Sequence, residues 1–205
     1  MNTSLTDQSI RLAAIKLISR TGYESMSLRQ LALEAGINSS TLYLYYRGKR
    51  ELLLTLILEY FQDLAYAWDK ARPSSRKAAV QLQAFVAFHV RYHLLRREQA
   101  LLGNMEFRSL DADEQAQVRQ ARRMYLNKVQ TLLERGVAEG SLHCAEPKLM
   151  AHIILNMLTH ASAWYQADGR LAMDDVVTHY SDLVQRMVRV GPLPASQKRP
   201  RALAS

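Results

Sequence analysis

Side chains that bind phosphate are concentrated in residues 36–53, which read GINSSTLYLYYRGKRELL. Three hydroxyl residues occupy positions 39–41, three tyrosines fall within positions 43–46, and residues 47–50 carry three positive charges. Phosphate oxygens accept hydrogen bonds from short hydroxyls, tyrosine hydroxyls, cationic side chains and the free amides at helix N-termini. The segment therefore predicts contact with a phosphate-bearing partner.

Two short helices joined by a glycine turn are predicted to position these side chains. Ser27 and Gln30 have the spacing of a capping box, in which the serine hydroxyl accepts from a backbone amide and the glutamine reaches back. The apolar stripe that follows ends at Gly36, which favours a left-handed position after a helix, and Asn38 can cap the next helix, residues 39–45. This order is typical of a helix-turn-helix arrangement.

The second short helix has the composition of one that reads DNA in the major groove. Its first turn holds small hydroxyl residues, and Lys49 begins the helix after it. Tyr43 is expected to point outward, because Leu42 and Tyr46 take the inward face. A reading helix needs small residues near base edges and phosphate donors on both flanks. Short helix pairs that bind no DNA are also common, however, so the pattern alone leaves both interpretations open.

Composition and charge agree with a polyanionic partner. The chain has 205 residues and a net charge of +8, and residues 1–50 hold seven lysines and arginines against three aspartates and glutamates. A basic balance favours nucleic acid or an anionic surface. The single cysteine, Cys144, excludes an internal disulfide and fits a reducing compartment. No apolar run approaches the roughly 20 residues that cross a bilayer, so we expect a cytoplasmic protein without a membrane partner.

Helical periodicity extends over the whole chain, and the expected fold class is all-α. A helix-turn-helix domain is predicted for residues 1–48, a helical ligand-binding and dimerisation domain for 49–190, and a disordered basic tail for 191–205. The predicted helices span about 6–21, 28–35, 39–45, 49–70, 76–97, 99–109, 112–139, 147–167 and 173–189.

Residues 10–53 resemble the DNA-binding domain of the TetR family of bacterial repressors. The matching positions are Ala13, Ala14, Gly22, Tyr23, Ser27, Leu31, Ala32, Ala35, Gly36, Tyr43, Lys49 and Leu52. Two positions depart from the family pattern: Tyr46 replaces a usual phenylalanine, and Tyr45 stands where histidine is frequent. The resemblance implies roles at nine positions: phosphate contacts from Ser27, Arg29, Thr41, Tyr43, Tyr45 and Lys49, and base contacts from Ser39, Ser40 and Leu44.

The resemblance also implies an all-helical effector domain and a homodimer. The predicted helices 147–167 and 173–189 both carry wide apolar faces. These faces are wide enough to cover each other and a further apolar surface. Pairing with the same helices of a second chain would make a four-helix bundle. The alternative is that both faces are used within one chain.

The C-terminal half is similar to the effector domains of TetR-type regulators of lipid breakdown, which respond to acyl-CoA thioesters. The similarity lies in residues 104–142 and 158–184, including Glu106, Arg108 and Trp164. It implies an apolar pocket with a few polar groups, although each of its residues could be ordinary core, and Glu106 and Arg108 could pair with neighbouring helices. The expected lining is Phe85, Phe88, His89, Tyr92, Met105, Met124, Asn156, His160 and Trp164.

Patterns for other chemistry are weak. His89 and His93 have a spacing that can bind metal, but no third ligand accompanies them, and phosphate-cradling glycine loops and nucleophile elbows are absent from the sequence. We therefore expect no catalytic residues, no metal and no cofactor. The sequence favours a dimeric repressor that a small apolar effector, an acyl-CoA in this interpretation, releases from a near-palindromic operator. The alternatives are a transcriptional activator, and a helical ligand-binding module with a different apolar effector.

Overall fold

The computed structural model describes residues 4–189, and every regular element in that range is helical, which confirms the predicted fold class. A 3-10 turn, Glu106–Ser109, joins the sixth and seventh helices. The predicted tail, residues 191–205, lies outside the described residues. The helices are α1 (Leu5–Thr21), α2 (Leu28–Glu34), α3 (Ser39–Tyr45), α4 (Lys49–Ala71), α5 (Ala78–Leu95), α6 (Arg97–Met105), α7 (Ala112–Ala138), α8 (Pro147–Trp164) and α9 (Met173–Arg189).

Local capping fixes the helix starts much as the sequence predicted. The Ser27 hydroxyl accepts from the Gln30 amide at 3.2 Å, and the Gln30 side chain accepts from the Ser27 amide at 3.0 Å, so the predicted capping box is confirmed. Gly36 has φ +69°, a left-handed conformation that favours glycine, and it ends α2. Asn38 occupies the N-cap of α3, but its side chain makes no capping hydrogen bond there.

The first three helices pack with the first turns of α4 around one small core. Ile10, Leu31 and Leu42 are completely buried in it, together with Leu52 and Leu53 of α4. The tyrosine that replaces the family's phenylalanine, Tyr46, is also buried, and its hydroxyl donates to the Asp7 carboxylate. A buried hydroxyl needs such a partner, which explains how this core accepts tyrosine.

The larger core surrounds α5, which packs against α7, α8 and α9. The second half of α4 joins this core through Tyr60, Leu64 and Trp68, whereas Leu52 to Ile57 belong to the smaller core. A division of the chain at residue 48 stays a prediction, because α4 is shared between the two cores. One helix therefore connects the N-terminal unit with the interior of the larger one. No helix within residues 4–189 combines the length and the apolar character needed to cross a membrane.

Candidate nucleic-acid interface and ligand cavity

Helix α3 presents its predicted contact residues to solvent. Tyr43 is 56% exposed and Leu44 is 83% exposed, while Leu42 is completely buried, which confirms the expected outward direction of Tyr43. Ser39 and Ser40 are exposed as well. Thr41 is half-buried, and Tyr45 is exposed with its hydroxyl oxygen accepting from Ser4 at 3.2 Å.

The two flanks of α3 differ in how free their side chains are. Arg29 is exposed on α2, whereas the Ser27 hydroxyl is already bonded to Gln30, both as acceptor and as donor. Lys49 Nζ donates to the Glu24 carbonyl at 3.2 Å and lies 4.6 Å from the centre of the Tyr23 ring. These contacts hold Lys49 against the loop between α1 and α2.

The start of α4 is less open to a phosphate than the sequence indicated. The Arg47 amide, which precedes the helix, donates to the Glu51 carboxylate at 2.7 Å, so an acidic side chain lies at the first turn of α4. A carboxylate there satisfies the positive end of the helix and competes with an incoming anion. The sequence carries the signal for this negative charge, since Glu51 stands in the first turn.

A cavity of about 810 Å³ lies between helices α4, α5, α6, α7 and α8. Four of its eighteen lining residues are arginine or lysine, whereas the expected lining contained neither, so the cavity is more cationic than the expected pocket. The lining comprises Tyr60, Phe61 and Leu64 of α4, His89 and His93 of α5, Asn104 of α6, Arg119, Arg122, Arg123, Tyr125, Leu126, Asn127 and Gln130 of α7, and Lys148, His152, Leu155, Asn156 and Thr159 of α8.

The inner end of the cavity holds two stacked histidines. The rings of His89 and His93 lie 3.9 Å apart, and His89 is hydrogen-bonded to the Tyr125 hydroxyl and to the Thr159 hydroxyl, both at 3.0 Å. Burial lowers the pKa of His89 well below its usual range, and the adjacent His93 lowers it further. Burial also lowers the pKa of His93 to about 4. Both rings are therefore neutral near pH 7.

The mouth of the cavity is cationic. Arg119, Arg123 and Lys148 are exposed there, and Arg122 is partly buried beside them. Arg122 donates to the Gly103 carbonyl at 2.6 Å. Among residues 4–189, none of these four cations forms an ion pair with a carboxylate. Clustered positive charge without acidic partners favours an anionic ligand.

Two of the nine residues expected to line a pocket, His89 and Asn156, line this cavity, and seven do not. Phe85 is buried behind the lining, edge-on to Trp68 at 5.0 Å. Phe88 and Tyr92 contact each other on another side of α5, with ring centres 5.5 Å apart and planes tilted by 39°. Solvent-facing positions are occupied by Met105 (70% exposed), Met124 (64%), His160 and Trp164.

Helical periodicity explains the placement of Met124 but not that of His160. On α8 the lining residues His152, Leu155, Asn156 and Thr159 form one stripe. His160 continues this stripe four residues after Asn156, but Thr159 is the last residue of α8 that lines the cavity. Met124 lies on the side of α7 away from the lining residues Leu126 and Gln130. The missed residues of α7 and α8 are mostly polar, and in sequence a polar stripe is indistinguishable from a solvated helix face.

The motifs of the finer resemblance have structural roles here. The Glu106 carboxylate accepts from the Tyr23 amide at 3.3 Å and from the Ser109 hydroxyl at 3.3 Å, which ties the 3-10 turn to the loop between α1 and α2. Neither Glu106 nor Arg108 lines the cavity. Within the described residues, no group of three or more histidine, cysteine or acidic side chains could hold a metal ion.

Two family models match the chain. Residues 75–188 match the tetracyclin repressor-like C-terminal domain, and residues 10–56 match the bacterial regulatory proteins of the tetR family. The chain belongs to the TetR family. It is a TetR-family transcriptional regulator with an N-terminal helix-turn-helix, as its residues indicated.

Relatives of known structure share this TetR fold over nearly the whole chain. A tetR-family regulatory protein from Rhodococcus RHA1 is 25% identical, with a TM-score of 0.86 over 93% of this chain and 100% of that one. AibR, solved in complex with isovaleryl coenzyme A and operator DNA, is 19% identical with a TM-score of 0.76, covering 87% of this chain and 97% of its own. The fatty acid metabolism regulator protein of Bacillus subtilis (strain 168) is 22% identical over 63% of this chain and 67% of its own length.

Proposed function

We propose that this TetR-family regulator is a homodimeric repressor whose effector is a coenzyme A thioester. The cluster of unpaired cations at the mouth of a cavity of about 810 Å³ carries the proposal. Coenzyme A is a polyanion, so its phosphates suit that mouth, and the acyl group would enter the cavity. The AibR complex with isovaleryl coenzyme A and operator DNA, and a fatty acid metabolism regulator among the relatives, support the same class of ligand.

On the DNA side, the proposal assigns phosphate contacts to the hydroxyl and cationic groups around α3 and base contacts to its exposed first turn. Exposure of Tyr43 and Leu44 supports this orientation. A cytoplasmic location belongs to the proposal, because operator DNA is the partner. No catalytic step and no cofactor form part of it. The proposed phosphate donors are Ser27, Arg29, Thr41, Tyr43, Tyr45 and Lys49, and Ser39, Ser40 and Leu44 face the bases.

Coupling between cavity and reading helix would pass through α4 and α6. Arg122 binds the Gly103 carbonyl of α6, and its guanidinium lies 5.4 Å from the Phe61 ring of α4. A phosphate that draws Arg122 toward the mouth would weaken both contacts. Because Glu106, just after α6, holds the Tyr23 amide, a shift of α6 would reach the N-terminal unit. Such coupling requires that the effector binds the released state more tightly than the DNA-bound state.

Release of DNA by a matched series of thioesters tests the proposal. We expect acyl-CoAs to dissociate the complex with upstream DNA in a gel shift, and the corresponding free acids to fail because they lack the phosphates. To change the ratio of released to DNA-bound protein from 1:99 to 99:1, the effector must bind the released state more tightly by about 5.5 kcal/mol.

A charge-deleted variant tests the cationic mouth. Arg123→Ala combined with Lys148→Ala should raise the thioester concentration for half-release by roughly tenfold or more, since each charged hydrogen bond contributes about 1.5–3 kcal/mol. Arg170→Ala removes an exposed cation that does not line the cavity, and it should leave release unchanged. Failure of every thioester to release DNA would contradict the effector, and failure to bind upstream DNA would contradict the repressor.

A further inference from the structure

An arginine at the start of α4 contacts two carboxylates at the start of α7. Arg50 Nε donates to Glu114 Oε1 at 3.2 Å, and its Nη2 lies 3.4 Å from Asp111 Oδ2. The Glu114 side chain is only 15% exposed, so solvent screens this contact less than it screens an ordinary surface ion pair. These three residues, the arginine bridge, tie the helix that follows the helix-turn-helix to α7.

Each carboxylate of the arginine bridge divides its two oxygens between the cap of α7 and the arginine. Asp111 Oδ1 accepts from the Glu114 amide at 2.9 Å, and Glu114 Oε2 accepts from the Asp111 amide at 3.0 Å. These two bonds form a capping box, which leaves the other oxygen of each carboxylate to Arg50. Because the partners of Arg50 belong to the helix start itself, a movement of α7 is passed directly to the arginine.

The same helix carries one wall of the cavity. Arg119 and Arg122 line the cavity soon after Glu114, and Val118 is completely buried in the smaller core. Eight residues of α-helix rise only about 12 Å, and α7 has no proline and no glycine before its last turn. The cavity wall and the carboxylates of the arginine bridge therefore move as one rigid segment.

We propose that the arginine bridge is a regulatory link: effector binding at Arg119 and Arg122 shifts α7, and the shift reaches the helix-turn-helix through Arg50. The inference rests on the proposed function and adds a second route beside the one through α6. Arg50 is a positioning residue, because it affects DNA binding by orienting the start of α4. Without the bridge, the effector still binds but releases DNA less effectively.

Two substitutions remove the bridge and keep the helix cap. Glu114→Gln and Asp111→Asn each retain the oxygen that the capping box uses and replace the oxygen that faces Arg50 with an amide nitrogen. Fluorescence anisotropy with upstream DNA measures the ratio of DNA affinities without and with a thioester. The probe is the thioester that releases the wild type best, and octanoyl-CoA is the first one tested.

We expect Glu114→Gln to lower this ratio roughly threefold to fivefold, the upper range for a partly exposed ion pair, and the double variant to lower it further. A ratio is the right measure, because a direct effect of the lost charge on DNA affinity is the same with and without the thioester. Calorimetry on the DNA-free variants should show unchanged thioester affinity, since neither residue lines the cavity.

Asp113→Asn is the matched control, because Asp113 is an exposed carboxylate in the same turn of α7 that forms no ion pair with Arg50. It should leave the ratio unchanged. Arg50→Gln should also lower the ratio, and adding Glu114→Gln to it should lower the ratio no further, since both substitutions remove one interaction. Additive losses would show that the two residues act separately, and would overturn the bridge.

Reciprocity provides a second test that needs no effector, because DNA binding must influence the cavity as strongly as the cavity influences DNA binding. In the wild type and in Asp113→Asn, upstream DNA should change amide hydrogen exchange in residues 119–130 of α7. The change should be clearly smaller in Glu114→Gln.

The bridge and the proposed function fail in different ways. An unchanged ratio in Glu114→Gln, or a hydrogen-exchange response equal to that of the wild type, would overturn the bridge and leave the effector in place. If no thioester releases DNA from the wild type, the coenzyme A effector is wrong, and hydrogen exchange alone decides the bridge. Failure to bind upstream DNA would contradict the repressor and the bridge together.

Discussion

Among individual residues, Tyr43 and Lys49 differ in how they can contribute to a phosphate contact. Tyr43 projects from α3 and is more than half exposed. Lys49 is held by the Glu24 carbonyl and by the Tyr23 ring. A neutral hydroxyl provides one hydrogen bond, whereas a lysine also displaces counterions, so the two substitutions have different signatures.

Replacement of Tyr43 by phenylalanine should weaken binding to every DNA sequence by about 1 kcal/mol, the usual net contribution of one hydrogen bond. Lys49→Ala should also weaken binding broadly and reduce the salt dependence by about one unit of slope. Fluorescence anisotropy with operator and unrelated DNA at several salt concentrations measures both. Tyr66→Phe is the matched control, since Tyr66 is an exposed tyrosine in α4 outside the helix-turn-helix.

An effect of Tyr43→Phe confined to particular operators would contradict the phosphate role. An unchanged salt slope in Lys49→Ala would mean that the contacts of Lys49 within the protein persist when DNA binds.

At the level of secondary-structure elements, the end of α7 shows why two glycines recur four residues apart. Gly140 has φ +68° and reverses the chain, so the amides of Ser141 and Leu142 donate to the Gly136 carbonyl at 2.9 and 3.0 Å. The Leu142 side chain then packs directly over Gly136. The spacing therefore stabilises the junction between α7 and α8, and neither glycine lines the cavity.

Gly136→Ala should destabilise the protein by about 1–3 kcal/mol, the usual cost of overpacking, although alanine is the better helix former. A Cβ at this position would lie 2.5 Å from Cγ of Leu142, which is buried and cannot move freely. Gly103→Ala in α6 is the control, because its Cβ would meet its nearest neighbours at 3.5 Å or more. Urea unfolding measures both, and equal midpoints for the two variants would contradict this account of Gly136.

At the scale of the whole molecule, α8 and α9 divide their apolar residues between an inner and an outer face. Val176, Val177, Val184 and Val188 are buried within the protomer, so much of the apolar surface expected at the dimer interface is used inside one chain. Exposed apolar side chains nevertheless remain on the outer faces of both helices. They are Leu149 (58% exposed), Ile153 (43%), Trp164 (46%) and Leu183 (45%). These residues support the proposed bundle with a second copy.

Leu183→Arg should break the proposed dimer and abolish specific DNA binding while leaving the helical content intact, because Leu183 is half exposed in the protomer. Val184→Arg is the informative comparison: it buries a charge in the core and should unfold the protein instead. Sedimentation, circular dichroism and a gel shift distinguish the two variants.

The wild type should protect a near-palindromic operator with half-sites roughly 34–36 Å apart or a multiple of this spacing. A wild-type protein that sediments as a monomer at micromolar concentration would contradict the proposed dimer.

The sequence alone determined the helices, the capping box of α2, the glycine turn and the exposed face of α3. Each of these features depends on residues only a few positions apart: Ser27 and Gln30 bond each other, and Leu42 and Tyr46 bury the side of α3 opposite Tyr43. Local hydrogen bonds and helical periodicity depend only on residues that are close in sequence, so they can be predicted without knowing which helices pack together.

Only the tertiary structure decided which faces of α7 and α8 enclose the cavity. His89 forms hydrogen bonds with Tyr125 and Thr159, which are 36 and 70 positions away in the sequence, so no local pattern predicts them. The arginines of α7 look in sequence like a solvated surface, and Val184 looks like a contact for a second chain. Burial of a helix face depends on the crossing of distant helices, so a polar stripe beside a cavity and one beside bulk water have the same sequence.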